Sequence, residues 1–357
     1  MQLAAGANLA NAISSYPGGT TFCLASGTYQ VGSSLTPKAG QRFLGQPGAL
    51  LTGANTTAHA FTGAANDVVL RGLIIEHFAS PLQTAAIQAI GGDRWLVEGN
   101  EVRYNAAGGI RLGDYSTARG NNVHHNHQIG VTAQGVDIRF ISNEIAYNNW
   151  LDEYSTGWEA GGSKFWKTTN LLLQDNWVHH NTGTGLWTDH GNRFSTIEDN
   201  LVEDNSSWGI FHEISCEATI RNNVVRRNGF ARDGTYMKGA GIRVSSSGHV
   251  EIYGNTLTAN KHAISLAQDN RESTDACGAS VTEDVHVYAN VIVNSGESGM
   301  VQSIGDTSTF GRNITFEDND YRYTSTSGSW WQWLNAARSW TAWRSYGHDE
   351  TGSLLAS

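Results

Sequence analysis

The sequence predicts an all-β solenoid, a parallel β-helix with three short strands per coil, from a repeat, its period and its internal alternation. The repeat reads Asn, any residue, an aliphatic residue, any two residues, Asn. Its copies span residues 100–105, 121–126, 143–148, 176–181, 200–205, 223–228 and 255–260, and degenerate copies start at 72, 290 and 319. The shortest steps between copies are 21 to 24 residues, with insertions lengthening the others. Such a period indicates a solenoid, here of about ten coils.

Strands are expected where aliphatic and polar residues alternate, as in Val250-Glu251-Ile252-Tyr253, and no unit holds a helical 3.6-residue pattern. Each coil then reads as a strand, a turn at the first Asn, a second strand, a variable turn, and a third strand that opens at Gly. Asn suits a tight turn because it tolerates the left-handed conformation, and its amide can bond the neighbouring coil. We therefore expect stacked Asn ladders with a structural role.

Length and composition fit one array. The 357 residues form a single predicted domain, with an N-terminal cap and first coil over 1–60, the β-helix over 61–325 and a C-terminal capping segment over 326–357. Hydrophobic residues make up 39% of the chain, which argues against disorder. The 33 acidic residues exceed the 23 basic ones, which argues against nucleic acid as a partner. No apolar run approaches the roughly 20 residues of a membrane helix, so no membrane association is expected.

The cysteines and the chain start give further expectations. Cys23, Cys216 and Cys277 are too few and too scattered for a disulfide framework, so we expect three buried thiols. The first residues lack the basic and apolar regions of a signal peptide, which leaves a cytosolic chain or a mature form given an initiator Met. The spacing of Trp333, Trp340 and Trp343 favours a C-terminal capping helix.

The Asn-turn repeats resemble the right-handed parallel β-helix proteins of the pectate lyase-like superfamily, which includes polysaccharide lyases, glycoside hydrolases and epimerases. PGGTTFCLASGTY is similar to their first strand and turn, ANLANAISSYP to their N-terminal capping helix, and SWTAWRSYGHDETGS to their closing tails. The resemblance implies a single-stranded right-handed β-helix that acts on carbohydrate. It also implies that the third strand of each coil lines the catalytic cleft.

Aligning the Gly that opens each third strand sorts the outward side chains into two columns. The aligned glycines are Gly109, Gly130, Gly162, Gly185, Gly209 and Gly241. Two positions later stand Arg111, Thr132, Lys164, Trp187, Phe211 and Arg243. Four positions later stand Gly113, Gln134, Trp166, Asp189, Glu213 and Ser245. Because stacked strands lie about 4.8 Å apart, Asp189 and Glu213 should be neighbouring carboxylates beside Trp187 and Phe211, bracketed by Lys164 and Arg243.

Two carboxylates at this separation raise the pKa of one of them, which supplies an acid and a base from similar groups. Aromatic faces beside them suit a sugar ring. The alternatives are a solvated carboxylate ladder or a structural Ca²⁺ site for Asp189 and Glu213, and packing under an insertion for Trp187 and Phe211.

Two histidines and two insertions lie next to the predicted cleft strands in the sequence. His212 points inward, either as a hydrogen-bonded core residue or to position Glu213, and His190 follows Asp189 into a turn where it could assist. Residues 149–161 and 229–240, the second of which contains Lys238, precede third strands and are expected to form two walls beside the cleft.

Three functions follow, of which the first is preferred. It is a glycoside hydrolase that needs no cofactor, with Asp189 and Glu213 as nucleophile or base and general acid. The second is a Ca²⁺-dependent polysaccharide lyase or uronate epimerase, in which these carboxylates hold Ca²⁺ and Lys164, Lys238 or Arg243 exchanges the C5 proton. The third is a non-catalytic carbohydrate-binding solenoid. All three imply a polysaccharide or oligosaccharide partner, and we expect a secreted monomer or small homo-oligomer.

Overall fold

The chain forms two compact units, Met1–Thr182 and Gly183–Ser357. The structure, a computed structural model, describes residues 1–231, 237–271 and 274–357. The single domain over 1–357 stays a prediction.

The N-terminal unit is built from short parallel strands and one short helix. Its elements are β1 Gln2–Leu3, α1 Leu9–Ser15, β2 Thr21–Leu24, β3 Gly27–Gln30, β4 Arg42–Gly45, β5 Ala49–Thr52, β6 Phe61–Thr62, β7 Val69–Arg71, β8 Ile74–Glu76, β9 Ala85–Ala89, β10 Leu96–Glu98, β11 Glu101–Arg103, β12 Gly108–Leu112, β13 Thr117–Arg119, β14 Asn122–His124, β15 Ile129–Ile141, β16 Glu144–Ala146, β17 Gly161–Gln174 and β18 Trp177–His179.

One turn of this unit runs through β10, β11 and β12, and the next begins at β13. Leu96 of β10 pairs in parallel with Thr117 of β13, 21 residues later, so one repeat is one coil. The predicted order of three strands per coil is therefore confirmed. Helix α1 caps the start of the unit: the Asn8 side chain accepts a hydrogen bond from Asn11 N at 2.9 Å, and Leu9 and Ile13 are buried.

The C-terminal unit repeats this plan and adds a hairpin and a second helix. Its elements are β19 Leu186–Asp189, β20 Ser195–Glu198, β21 Leu201–Glu203, β22 Ile210–Glu213, β23 Cys216–Arg221, β24 Val224–Arg226, β25 Ala240–Ser245, β26 Gly248–Tyr253, β27 Thr256–Thr258, β28 His262–Gln268, β29 Thr274–Asp275, β30 Gly278–Ala279, β31 Glu283–Tyr288, β32 Val291–Val293, β33 Ser298–Gln302, the 3₁₀ turn Thr307–Gly311, β34 Ile314–Glu317, β35 Asp320–Tyr323, β36 Trp331–Trp333, β37 Ala336–Arg338, α2 Trp340–Ser345 and β38 Ser353–Ala356.

Inward aliphatic side chains form the core of the C-terminal unit in columns. Ile210, Ile242 and Ile264 pair in register on β22, β25 and β28 and are fully buried. Each such side chain contributes about 1.5–3 kcal/mol of hydrophobic stabilisation.

The Asn columns form the predicted ladders inside each unit. In the C-terminal unit, Asn200 Nδ2 donates to Asn223 Oδ1 at 2.9 Å, and Asn223 Nδ2 donates to Asn255 Oδ1 at 2.9 Å. These amides are buried, so each unpaired group would cost about 1–3 kcal/mol. The left-handed residue is the one before the Asn, as at Asp204 and Arg227, so the expectation that Asn itself takes this conformation is wrong. Asn is selected here for its two-sided hydrogen bonding.

The C-terminal cap closes the first ladder with a carboxylate. Asp349 Oδ1 accepts from Asn319 Nδ2 at 2.8 Å, and its Oδ2 accepts from Trp343 Nε1 at 2.8 Å. Trp343 lies on α2, which confirms the capping helix, but Trp333 lies on β36 instead. Trp333 is predicted to be helical from its spacing to Trp340 and Trp343. It is a strand residue because β36 pairs with β37 in an antiparallel hairpin.

Candidate active site

Strands β19, β22 and β25 place the predicted columns in register. Trp187 pairs with Phe211 and Phe211 with Arg243, while Asp189 pairs with Glu213. The sequence alignment of these third strands is therefore confirmed.

Gly185 and Gly209 precede these strands because the next coil leaves no room for a side chain. A Cβ on Gly209 would lie 2.6 Å from the Gly241 carbonyl oxygen, and one on Gly185 would lie 2.6 Å from the Gly209 oxygen. The glycines therefore let successive coils approach closely enough to align the carboxylates.

The two carboxylates have different surroundings. Glu213 is 5% exposed, whereas Asp189 is half-buried. Burial, followed by the charge of Asp189, raises the pKa of Glu213, against the opposing charges of Arg271 and Arg243. Glu213 therefore keeps its proton to higher pH than an ordinary glutamate, as a general acid must.

Two arginines lie near Asp189 and Glu213, and they have different hydrogen-bond partners. Arg271 Nη2 donates to Glu213 Oε1. Arg243 instead donates through Nη2 to Asp269 Oδ2 and through Nη1 to Ser265 Oγ, both at 3.0 Å. Arg243 is therefore a buried, internally held cation on the coil next to Glu213, and its role in substrate binding stays a prediction.

Asp269 completes the buried polar network. Ser245 Oγ donates to Asp269 Oδ2 at 2.8 Å. Burial alone would raise the pKa of Asp269, but the Arg243 charge and the hydrogen bonds from Ser245 and Arg243 outweigh it and lower that pKa. Asp269 is therefore an ionised partner for Arg243, which leaves Arg271 as the cation that bonds Glu213 directly.

The aromatic residues form the floor of the site. Trp187 and Phe211 are each 3% exposed, and their rings stack with centroids 5.6 Å apart. Trp208 packs on Phe211 at 4.5 Å, and the Arg243 guanidinium lies 5.8 Å from the centroid of each of these two rings. The rings pack on one another and supply apolar surroundings for the polar network, which favours the packing alternative, and a contact of Trp187 or Phe211 with sugar stays a prediction.

The two histidines support the strands through buried or backbone contacts. His212 is fully buried, its Nδ1 lies 2.8 Å from Thr188 Oγ1, and burial lowers its pKa to about 3. This placement matches the core alternative and leaves no surface of His212 for substrate. His190 donates its backbone N–H to the Glu213 carbonyl oxygen at 3.0 Å, which fixes the strand end that carries the acid.

Lys164 and Trp166 lie on β17 of the N-terminal unit. Lys164 pairs with Thr132 in register, is nearly buried and forms an ion pair with Glu159 at 3.8 Å. Trp166 is half-exposed, and Lys167 Nζ lies 4.8 Å from its ring centroid.

The structure describes the two predicted walls, residues 149–161 and 229–240, to different extents. Within residues 149–161, the Trp150 ring packs against Tyr104 and His125, with ring centroids 6.3 and 5.7 Å away. The Trp150 side chain therefore lies against the ends of β11 and β14 of its own unit. The second predicted wall includes residues 232–236, which lie outside the described residues. Lys238 follows them and is exposed.

A cleft of about 460 Å³ opens beside the polar network of the C-terminal unit. Its lining includes Gln268, Asp269, Arg271, Ser280, Ile304 and Arg312. Arg271 thus both faces the cleft and bonds Glu213. The sequence alignment missed Asp269, Arg271 and Ser280 because they lie in the insertion that follows β28, although the 35-residue step from 255 to 290 marked an insertion there.

A disulfide joins this insertion to β23, the strand that follows Glu213. Cys216, at the start of β23, is bonded to Cys277, with Cα atoms 5.7 Å apart. The expectation of three buried thiols is therefore wrong: only Cys23 is a free cysteine, and it is half-buried. The pairing escaped detection because 61 residues separate partners that the insertion folds together.

Within the described ranges, no cluster of three or more His, Cys, Asp or Glu side chains is arranged to hold a metal ion. In the same ranges, no helix has the length and apolar character needed to span a membrane.

Comparisons with known proteins agree with this architecture. A family model described as right handed beta helix region matches residues 85–257. The A-module of the mannuronan C-5 epimerase AlgE6 from Azotobacter vinelandii is similar in structure, with a TM-score of 0.64, 16% identity, and coverage of 98% of this chain and 92% of that one. XylC in complex with xylose gives 0.69 at 12% identity, covering 97% and 82%. DFA-IIIase from Arthrobacter chlorophenolicus A6 in complex with GF2 gives 0.57 at 10%, covering 90% and 87%.

The chain thus has the right-handed parallel β-helix fold that the family model and these structures share. No curated protein matches it.

Proposed function

We propose that the protein is a carbohydrate-active enzyme that cleaves glycosidic bonds of a polysaccharide or oligosaccharide with Glu213 and Asp189. The observation that carries the proposal is the buried Glu213, whose pKa is raised by burial and by the adjacent Asp189. Structures of similar fold include proteins named as an epimerase of mannuronan and as a complex with xylose, which supports a carbohydrate substrate.

In this mechanism Glu213 donates its proton to the leaving glycosidic oxygen as that bond breaks. Asp189, the more exposed carboxylate, attacks the anomeric carbon or activates a water molecule. The paired strand positions are about 4.8 Å apart, closer to the ~5–5.5 Å carboxyl separation of retaining enzymes than to the ~6.5–9.5 Å of inverting ones. We therefore favour a covalent intermediate on Asp189, hydrolysed by water that Glu213 deprotonates.

A second candidate is a Ca²⁺-dependent lyase or epimerase. The observation that favours it is the pair of cations Arg271 and Arg312 along the cleft, which suit the carboxylate of a uronic acid. Asp189 and Glu213 would then hold Ca²⁺. Arg243 is engaged by Asp269, so Lys238 of the same unit would exchange the C5 proton.

The disulfide also bears on localisation. Structural disulfides persist in oxidising compartments. The Cys216–Cys277 bond therefore supports the proposal that the protein works outside the cytoplasm.

A polysaccharide panel with and without chelator separates these functions. The hydrolase releases new reducing ends, forms no unsaturated product and resists chelator, whereas the lyase forms a UV-absorbing product and loses activity with chelator. Glu213→Gln and Asp189→Asn are compared with Glu251→Gln, a carboxylate on β26 away from the cleft strands. Unchanged turnover in both site variants would overturn the assignment of this site.

A further inference from the structure

We propose that Arg271 is a positioning residue for Glu213, and that the Cys216–Cys277 disulfide holds Arg271 in place, so that reducing this bond impairs the enzyme through Arg271. The inference rests on the proposed role of Glu213. It adds a residue and a covalent constraint that lie outside the coil repeat.

Each cysteine of the crosslink follows closely, in the sequence, one partner of the Arg271–Glu213 contact. Cys216 follows Glu213 by three residues, and Cys277 follows Arg271 by six. One side of the disulfide is therefore part of the strand system that carries the carboxylate, and the other belongs to the segment that carries the arginine. Because Cys277 lies only six residues beyond Arg271, we infer that fixing Cys277 limits the freedom of Arg271.

The two ends of the inserted segment, near Ala267 and Thr282, are held together by hydrogen bonds that do not involve the disulfide. Thr282 N donates to Gln268 Oε1 at 2.7 Å, and Thr282 Oγ1 donates to the Ala267 carbonyl oxygen at 2.7 Å. Asp269 is held by Arg243 and Ser245. Beyond Asp269 the segment extends to Arg271 and the hairpin of β29 and β30, where Cys277 supplies the covalent anchor.

The exposure of the two partners explains why an anchor is needed. The Arg271 side chain is 46% exposed and Glu213 only 6%. An exposed arginine on a free segment loses conformational entropy when it is fixed, and exposed ion pairs contribute little by themselves. A crosslink that already restricts the segment removes part of this cost.

The charges around Glu213 indicate what Arg271 contributes to the carboxyl group. Asp189 faces it from β19, Arg243 from β25 and Arg271 from the inserted segment. Asp189 repels the ionised carboxylate, and Arg243 bonds Asp269 instead. Arg271 therefore orients the Glu213 carboxyl and moderates its proton affinity at the edge of the cleft.

A double-mutant cycle on kcat/KM tests this coupling. Arg271→Gln and Cys277→Ser should each lower kcat/KM by about tenfold, and the double variant should be no worse than Arg271→Gln alone. Arg271→Lys should recover part of the loss. Because Arg271 lowers the pKa of Glu213, both single variants should also move the basic limb of the pH profile upward. Multiplicative losses, or an unmoved limb, would overturn the proposal.

A second measurement does not depend on activity. Arg271 should react faster with phenylglyoxal in Cys277→Ser and in mildly reduced wild type than in oxidised wild type, with Arg312 as the internal reference. Cys23→Ser controls for the free thiol. Equal Arg271 labelling rates in oxidised and reduced protein would overturn the restraint even if Cys277→Ser fails to fold. If Glu213→Gln keeps full activity, the proposed function fails, while the labelling still reports on the disulfide.

Discussion

The outward positions of the third strands carry different chemistry in the two units. In the N-terminal unit the first outward column holds Arg111 and Lys164, here called the cation column; Arg111 donates to the Gln83 carbonyl oxygen at 2.7 Å and burial lowers its pKa. In the C-terminal unit the second outward column holds Asp189 and Glu213, here called the carboxylate column, above a buried aromatic floor. The backbone pairing is the same, so the fold provides a position and the side chains decide its use.

The largest effect should separate the carboxylate column from the cation column. Glu213→Gln should lower kcat/KM by about 10³-fold, because the amide cannot donate the proton to the leaving oxygen. Initial rates of reducing-end release give the measurement, and Arg111→Gln is the matched change in the other column. A loss as large in Arg111→Gln would erase the distinction between the two columns.

The aromatic floor should matter for stability more than for sugar contact. Phe211→Ala should lower the free energy of unfolding by about 3–5 kcal/mol, because it empties a packed site between Trp187 and Trp208. Chemical denaturation measures the loss. Phe230→Ala, at a 64% exposed position, should change it by about 0.5 kcal/mol or less. Equal stability losses would contradict the packing role.

Acid should weaken the unit with the buried histidine. His212 has a pKa of about 3 in the fold, so the unfolded chain binds a proton first as pH falls below about 6.5. The contribution of His212 to stability is thus complete above that pH and declines as pH falls toward 3. Unfolding free energies from pH 7 to 4 should fall less steeply in His212→Gln, and an unchanged slope would argue against the neutral buried histidine.

The smallest effect is expected in the cation column. Lys164→Gln should change kcat/KM by less than about tenfold, because Lys164 is nearly buried and paired with Glu159. The same initial-rate assay measures it, with Glu159→Gln as the partner control. A loss comparable to that of Glu213→Gln would contradict the assignment of the chemistry to Asp189 and Glu213.

Repetition explains how much could be predicted from sequence. The Asn spacing predicts the coils, and the Gly alignment predicts the register of Asp189 with Glu213. Arg271 and the Cys216–Cys277 bond could not be predicted in this way, because they lie in an insertion whose path depends on tertiary contacts. The burial of Trp187 was also missed, since alternation gives the face of a strand and not what covers it.

The most direct test of the account is the titration of the Glu213 carboxyl, followed by carbon-detected NMR and assigned by its loss in Glu213→Gln. The account predicts a pKa above that of an ordinary glutamate, about 4.3, that falls in Asp189→Asn. A Glu213 pKa at or below the ordinary value, unchanged by Asp189→Asn, would contradict the paired-carboxylate site.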